Sequence, residues 1–164
     1  MPSQRPQRAQ SRRRSRILAF QVLFEADQRG LPLDVVVRRQ TAEANLAPEA
    51  VHFTRHLVEG VRANLGVIDA KIEEHAPAFP LRDLSPVDRN VLRLAIYEVL
   101  FDTQHAPLRV AINEAVDIAK GYGSESSGRF VNGVLGAVAL EAARRFGAEG
   151  SDPRSDGDPD LPTE

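Results

Sequence analysis

The sequence predicts an all-α protein: a compact bundle of about seven helices flanked by disordered charged tails. Three observations carry this. Apolar residues recur at helical spacing in segment after segment, with almost no alternating strand pattern. Proline and glycine punctuate the segments where helices start and stop. One segment, 86–101, is apolar on nearly every side, as a central helix must be.

The first helix is expected from about Arg12, with Ile17, Phe20, Leu23 and Phe24 on one face, and stops at Gly30 and Pro32. A second runs from about Asp34 to Asn45. Pro48 suits the first turn of a third, which carries Val51, Leu57, Val58 and Val61 and ends near Gly66. "VIDAKIEEHA" forms a fourth, ended by Pro77. The fifth has Ser85 as N-cap, Pro86 at the first helical position and Asp88 placed for a reciprocal cap; Val91, Leu92, Leu94, Ala95, Ile96, Val99, Leu100 and Phe101 wrap it in apolar surface. The sixth spans about Pro107 to Lys120, before Gly121 and Gly123. The seventh starts near Ser126 and reaches about Arg145. It contains "VNGVLG", where Asn-Gly would ordinarily mark a hairpin. Phe130, Val134, Leu135 and Val138 keep the helical period on both sides, so Gly133 and Gly136 are expected to mark tight helix packing.

With 42% hydrophobic residues and 27% charged, the 164-residue chain is ordinary for one globular domain with an aliphatic core. It has no cysteine, which excludes disulfides, thiolate metal sites and a cysteine nucleophile and fits the cytoplasm. No apolar run is long enough for a membrane span. The net charge of −2 conceals strong polarity. Arg5, Arg8, Arg12, Arg13, Arg14 and Arg16 precede the first acid, Glu25, whereas Glu149, Asp152, Asp156, Asp158, Asp160 and Glu164 crowd the other end against Arg154. The expected organisation is a disordered basic arm (1–11), one helical domain (12–146) and a disordered acidic tail (147–164).

Catalytic chemistry is sparse. His52 and His56 in "HFTRH" stand one turn apart, with Glu59 on the next, yet Phe53 occupies the place where a hydrolytic zinc motif has glutamate. No third ligand is evident, so they read as surface histidines. His75 and His105 lie near prolines without a visible partner. "GYGSESSG" lacks the lysine and preceding strand of a phosphate loop. Neither an enzyme nor a cofactor or metal site is expected.

Binding is better supported. The N-terminal arginines suit a polyanion. "KGYGSESSGRF" joins Tyr122, serine donors, Arg129 and Phe130 at a helix start, a combination that suits phosphate and unpaired bases; the competing reading is a plain turn capped by Ser126 with Phe130 in the core.

"LSPVDRNVLRLAIYEVLF", "VAINEAVDIAKGYG" and "RFVNGVLGAVA", with the N-terminal "RRRSRILAFQVLF", resemble the NusB family of bacterial transcription antitermination factors. The resemblance implies two packed helical subdomains. It also implies binding to single-stranded boxA RNA of ribosomal RNA leaders together with NusE, a small-subunit ribosomal protein, in the antitermination complex of RNA polymerase with other Nus factors. The family's arginine-rich RNA-contacting stretch matches Arg12, Arg13, Arg14 and Arg16; its second RNA-contacting region matches Tyr122, Ser126, Arg129 and Phe130. Near the expected NusE surface, Phe24 stands where relatives have tyrosine, and Asp88 keeps an acidic position. Some members carry an acid where Ser126 stands. Two alternatives remain: a homodimeric helical scaffold with solvated arginines, and the NusB-like module of ribosomal RNA cytosine methyltransferases, whose catalytic cysteine and second domain this chain lacks.

Overall fold

The computed structural model describes residues 4–149. They form α1 (Gln4–Arg29), α2 (Leu33–Glu43), α3 (Pro48–Ala63), α4 (Leu65–His75), a short 3-10 turn (Leu81–Asp83), α5 (Pro86–Phe101), α6 (Leu108–Tyr122) and α7 (Ser127–Glu149). The all-helical expectation holds, with no strand among the described residues.

Two boundaries differ from the sequence reading. α1 begins at Gln4, so most of the expected disordered arm is helical. Apolar periodicity starts only at Ile17, but Gln4, Arg5, Gln7, Arg8, Ala9 and Gln10 are good helix formers, and Pro6 lies in the first turn, where its missing N–H is no loss. α7 likewise continues past Arg145 through Phe146, Gly147 and Ala148 to Glu149. The remainder of the expected acidic tail, 150–164, lies outside the described residues.

α1, α2 and α3 pack together, as do α4, α5, α6 and α7, and α5 touches every other helix but α2. The joint core holds Phe20, Leu57, Ile68, Ile72, Leu92, Ile96 and Leu135, all fully buried. Each such side chain contributes about 1.5–3 kcal/mol by leaving water. α5 is central because its apolar positions surround it, although Phe101 at its end is exposed.

Local chemistry sets the helix ends. Gly30, at φ +62, adopts the left-handed conformation past α1, and Leu31 N–H donates to Ala26 C=O at 3.1 Å, closing a Schellman-type cap. Ser85 Oγ accepts from Asp88 N–H at 3.0 Å and starts α5. The reciprocal bond from the Asp88 carboxylate is absent: its Oδ1 is buried without a hydrogen-bond partner. The glycine expectation in α7 fails. A Cβ on Gly133 or Gly136 would meet nothing within 4 Å. Close approach occurs instead at Gly60, where α3 lies against the Tyr97 ring of α5.

Candidate nucleic-acid interface

The four arginines of "RRRSR" point in different directions around little more than one turn of α1, so they divide among different surroundings. Arg14 is exposed. Arg13 is half-exposed and reaches α6, donating from Nε to Glu114 at 3.1 Å and from an Nη to Asp117 at 2.8 Å. The hydrogen bond to Glu114 holds its guanidinium above the ordinary arginine value. Arg12 is partly buried: it donates to the His105 carbonyl and lies 5.4 Å from the Phe53 ring centroid. Partial burial pulls its guanidinium below the ordinary value, and repulsion from Arg8 and Arg16 adds to this. Arg16 is a correction to the sequence reading. It is 3% exposed, and its Nε donates to both carboxylate oxygens of Glu98 at 3.0 and 3.1 Å. The cause is helical geometry: Arg16 shares the inward face with Ala19, Phe20 and Leu23.

Upstream, Arg5 and Arg8 are exposed. With Ser11, Arg12, Phe53 and His105 they line a groove of about 1060 Å³ between the start of α1 and the start of α3. The helical arm thus holds its cations in a fixed row.

The second region sits at the α6–α7 turn. Tyr122 is 47% exposed; its ring contacts Phe20 with centroids 5.2 Å apart, and Gln21 Nε2 donates to its hydroxyl at 3.2 Å. Ser126 and Arg129 are exposed. Phe130 is partly buried against the core, leaving Tyr122 as the open aromatic face. The turn is tied by Ser127, not Ser126: the buried Ser127 Oγ accepts from Ser124 N–H at 3.0 Å.

Arg13 and Tyr122 both lie along the contact of α1 with α6. Arg13 meets Asp117, and further along, Gln21 meets Tyr122, so α1 and α6 run parallel. The helical rise from Arg13 to Gln21 separates the arginine cluster from Tyr122 by about 12 Å. Phe24 packs partly buried beside Phe20, centroids 5.9 Å apart. Asp88 is partly buried at the start of α5.

Two polar clusters escaped the sequence reading. Asp27 accepts from Arg89, at 2.7 and 3.0 Å, and from Asn90 at 3.0 Å, while Arg93 forks onto Asp69. Burial alone would raise the Asp27 carboxyl, but hydrogen bonds from Asn90 and Arg89 and the charges of Arg89 and Arg93 outweigh it and hold it below the usual carboxylate range. The signal was present as Arg89, Asn90 and Arg93 set among the apolar positions of α5. The isolated histidines also acquire partners. His105 contacts Asp102, and His56 Nε2 lies 3.3 Å from Asp102 Oδ2; His75 Nε2 lies 2.8 Å from Glu141 Oε2.

The NusB family model matches residues 13–140. Transcription antitermination protein NusB of Roseiflexus sp. (strain RS-1) is 47% identical over 138 residues, covering 84% of this chain and 97% of the relative. The NusB protein of Chloroflexus aggregans is 43% identical, covering 79% of this chain and 87% of its own length. Among solved structures, T. maritima NusB superposes with a TM-score of 0.76 at 40% identity, covering 84% of this chain and 96% of that one. A structure of antitermination factors NusB and NusE in complex with double-stranded RNA matches with a TM-score of 0.74 at 33% identity, covering 80% and 98%. Sequence and fold agree, and the chain belongs to the NusB family of transcription antitermination factors, a family without enzymatic activity.

Proposed function

We propose that this chain binds single-stranded boxA RNA of ribosomal RNA leaders jointly with NusE, and that the complex acts on RNA polymerase with other Nus factors to sustain transcription of ribosomal RNA genes. The observation that carries this is the placement of Arg13, within the arginine cluster, and Tyr122 along the same contact of α1 with α6, fixed by Arg13–Asp117 and Gln21–Tyr122. Arg5, Arg8, Arg12, Arg13 and Arg14 supply phosphate attraction along α1, and Tyr122 with Ser126 and Arg129 supplies stacking and hydrogen bonding. A relative solved with NusE and double-stranded RNA supports NusE and an RNA as the two partners.

Phosphate contacts are sequence-blind, and one stacked base is worth about 1–3 kcal/mol, so this surface alone selects weakly. NusE seated beside it, near Phe24 and Asp88, lengthens the RNA track. Titration of boxA and scrambled RNA at one physiological salt concentration tests this. The chain alone binds boxA modestly; NusE tightens binding at least about tenfold, roughly 1.4 kcal/mol, and widens the margin over the scramble. If NusE alters neither, and the chain sediments as a dimer, the homodimeric scaffold replaces this reading.

A further inference from the structure

His56 of α3, Asp102 at the end of α5 and His105 of the following loop converge although they are far apart in sequence. Each offers one ligand atom, and the three atoms lie within 4.8 Å of one another. His56 Nε2 is 3.3 Å from Asp102 Oδ2, and His105 Nδ1 touches Asp102 Oδ1. Tetrahedral zinc with bonds of about 2.0–2.1 Å places its ligand atoms about 3.3 Å apart, so the His56–Asp102 edge fits, while His105 Nδ1 moves away from Asp102 Oδ1 on binding. A second observation points to a ligand. The Asp102 side chain is 7% exposed, and its Oδ2, on the side facing His56, is buried without a hydrogen-bond partner. A buried carboxylate oxygen in that state is costly unless something completes it.

We propose that His56, Asp102 and His105 form a binding site for a divalent transition metal of the zinc class. Two imidazoles with one carboxylate favour zinc, cobalt or nickel over magnesium or calcium, which prefer oxygen ligands alone. Metal binding requires His105 Nδ1 without a proton; a proton carried there leaves to solvent, and His105 Nδ1 joins His56 Nε2 and the Asp102 carboxylate as ligands. The site is reached from the groove lined by His105, Arg12 and Phe53. Arg12 is the adverse charge, since it donates to the His105 carbonyl. The Asp102 and Glu98 carboxylates, which act on Arg12 from the opposite sign, and the carbonyl end of α5 offset it. The Tyr97 hydroxyl lies 3.4 Å from the same His56 Nε2 and gives up that contact when the nitrogen takes the metal.

The other cluster of similar composition, Glu74, His75 and Glu141, makes the contrast. Lys71 Nζ already binds Glu141 and lies 3.1 Å from Glu74, so an ammonium holds the cation position there.

The test is titration of the metal-free full chain with Zn²⁺ against a chromophoric chelator, and with Co²⁺ followed by its visible absorption. One equivalent is expected to bind with the intense spectrum of four-coordinate cobalt and to raise Tm. His56→Ala and His105→Ala each weaken binding at least about tenfold and abolish the Tm rise. Because neither histidine is in the main core, circular dichroism of both variants confirms their folding, and Asp102→Asn need not be relied on. His52→Ala and His75→Ala bind as the parent does. Absence of saturable one-equivalent binding overturns the proposal. So does binding that survives in the His56→Ala/His105→Ala double variant, or that is lost in His75→Ala.

Discussion

Arg16 of α1 and Glu98 of α5 form a buried ion pair, Nε to both carboxylate oxygens, with each side chain 3% exposed. One member of the arginine cluster therefore joins α1 to α5 inside the fold instead of facing solvent. Burial raises the Glu98 carboxyl above its usual value, against the opposing charge of Arg16. Arg16→Ala leaves that carboxylate without its cation and is expected to cost about 3–5 kcal/mol in urea denaturation at neutral pH. The paired change Arg16→Met with Glu98→Leu recovers most of the loss. A parent-like Arg16→Ala would mean the pair is not buried in solution.

The remaining cluster should report itself through salt. If about two to four of Arg5, Arg8, Arg12, Arg13 and Arg14 neutralise phosphates, log affinity for single-stranded RNA falls against log salt with a slope of about −1.4 to −2.8. Replacing Arg12, Arg13 and Arg14 by alanine flattens the slope with helicity nearly intact. A triple variant with the parent slope removes these arginines from the RNA track.

Arg13 is held by Glu114 and Asp117, which competes with any phosphate. Glu114→Gln with Asp117→Asn frees the guanidinium and removes two repelling charges. RNA affinity is expected to rise several-fold at low salt and to converge with the parent as salt increases. Exposed pairs of this kind contribute about 0–1 kcal/mol, so stability changes little. Weaker RNA binding in the double variant would show that the carboxylates orient Arg13 productively.

Gly133 and Gly136 offer a test of helix packing. Both lie inside α7, and a Cβ at either meets open space. Alanine there should stabilise the chain by up to about 1 kcal/mol each through propensity. Gly60→Ala should do the reverse, costing about 1–3 kcal/mol, because its Cβ runs into the Tyr97 ring. Thermal unfolding of the three variants checks the contrast. Destabilisation by Gly133→Ala or Gly136→Ala would mean that a partner surface or second copy closes on that face.

The sequence displayed whatever repeats along one helix. The apolar period and the Pro and Gly punctuation located seven helices, and the all-round apolarity of α5 identified the centre. The hydrogen bond from Asp88 N–H to Ser85 Oγ followed from residue type and spacing alone. Long-range pairing was not visible. Nothing in "RRRSR" distinguishes Arg16, which meets Glu98, from Arg14, which meets solvent, until helical phase is combined with the position of α5. The same holds for His56 and His105, joined through Asp102 from three different elements. Charges embedded in α5, namely Arg89, Arg93 and Glu98, were the available clue: within an apolar helix each requires a partner, and each has one. The extended start of α1 was missed for the opposite reason, since its first turns carry propensity without an apolar stripe.

The Asp27 network should make stability depend on acid. Its carboxyl titrates below the usual range in the folded chain because Asn90, Arg89 and Arg93 favour the charged form over the cost of burial. The folded state therefore binds this proton less readily than the unfolded state does. The resulting stabilisation is fully present above the unfolded carboxyl value, about 3.9, and is lost as pH falls through the lower folded value. Glu98 works in the opposite direction, since its value is raised, so the comparison must isolate Asp27. Asp27→Asn keeps the shape and removes the titration. It is expected to be less stable than the parent at neutral pH, by about 1.5–3 kcal/mol for hydrogen bonds to a charged group. That gap narrows once pH drops below about 4. Denaturant midpoints of both proteins from pH 7 downward decide the matter, and a gap that stays constant into the acid range would show that Asp27 is not held charged by this network.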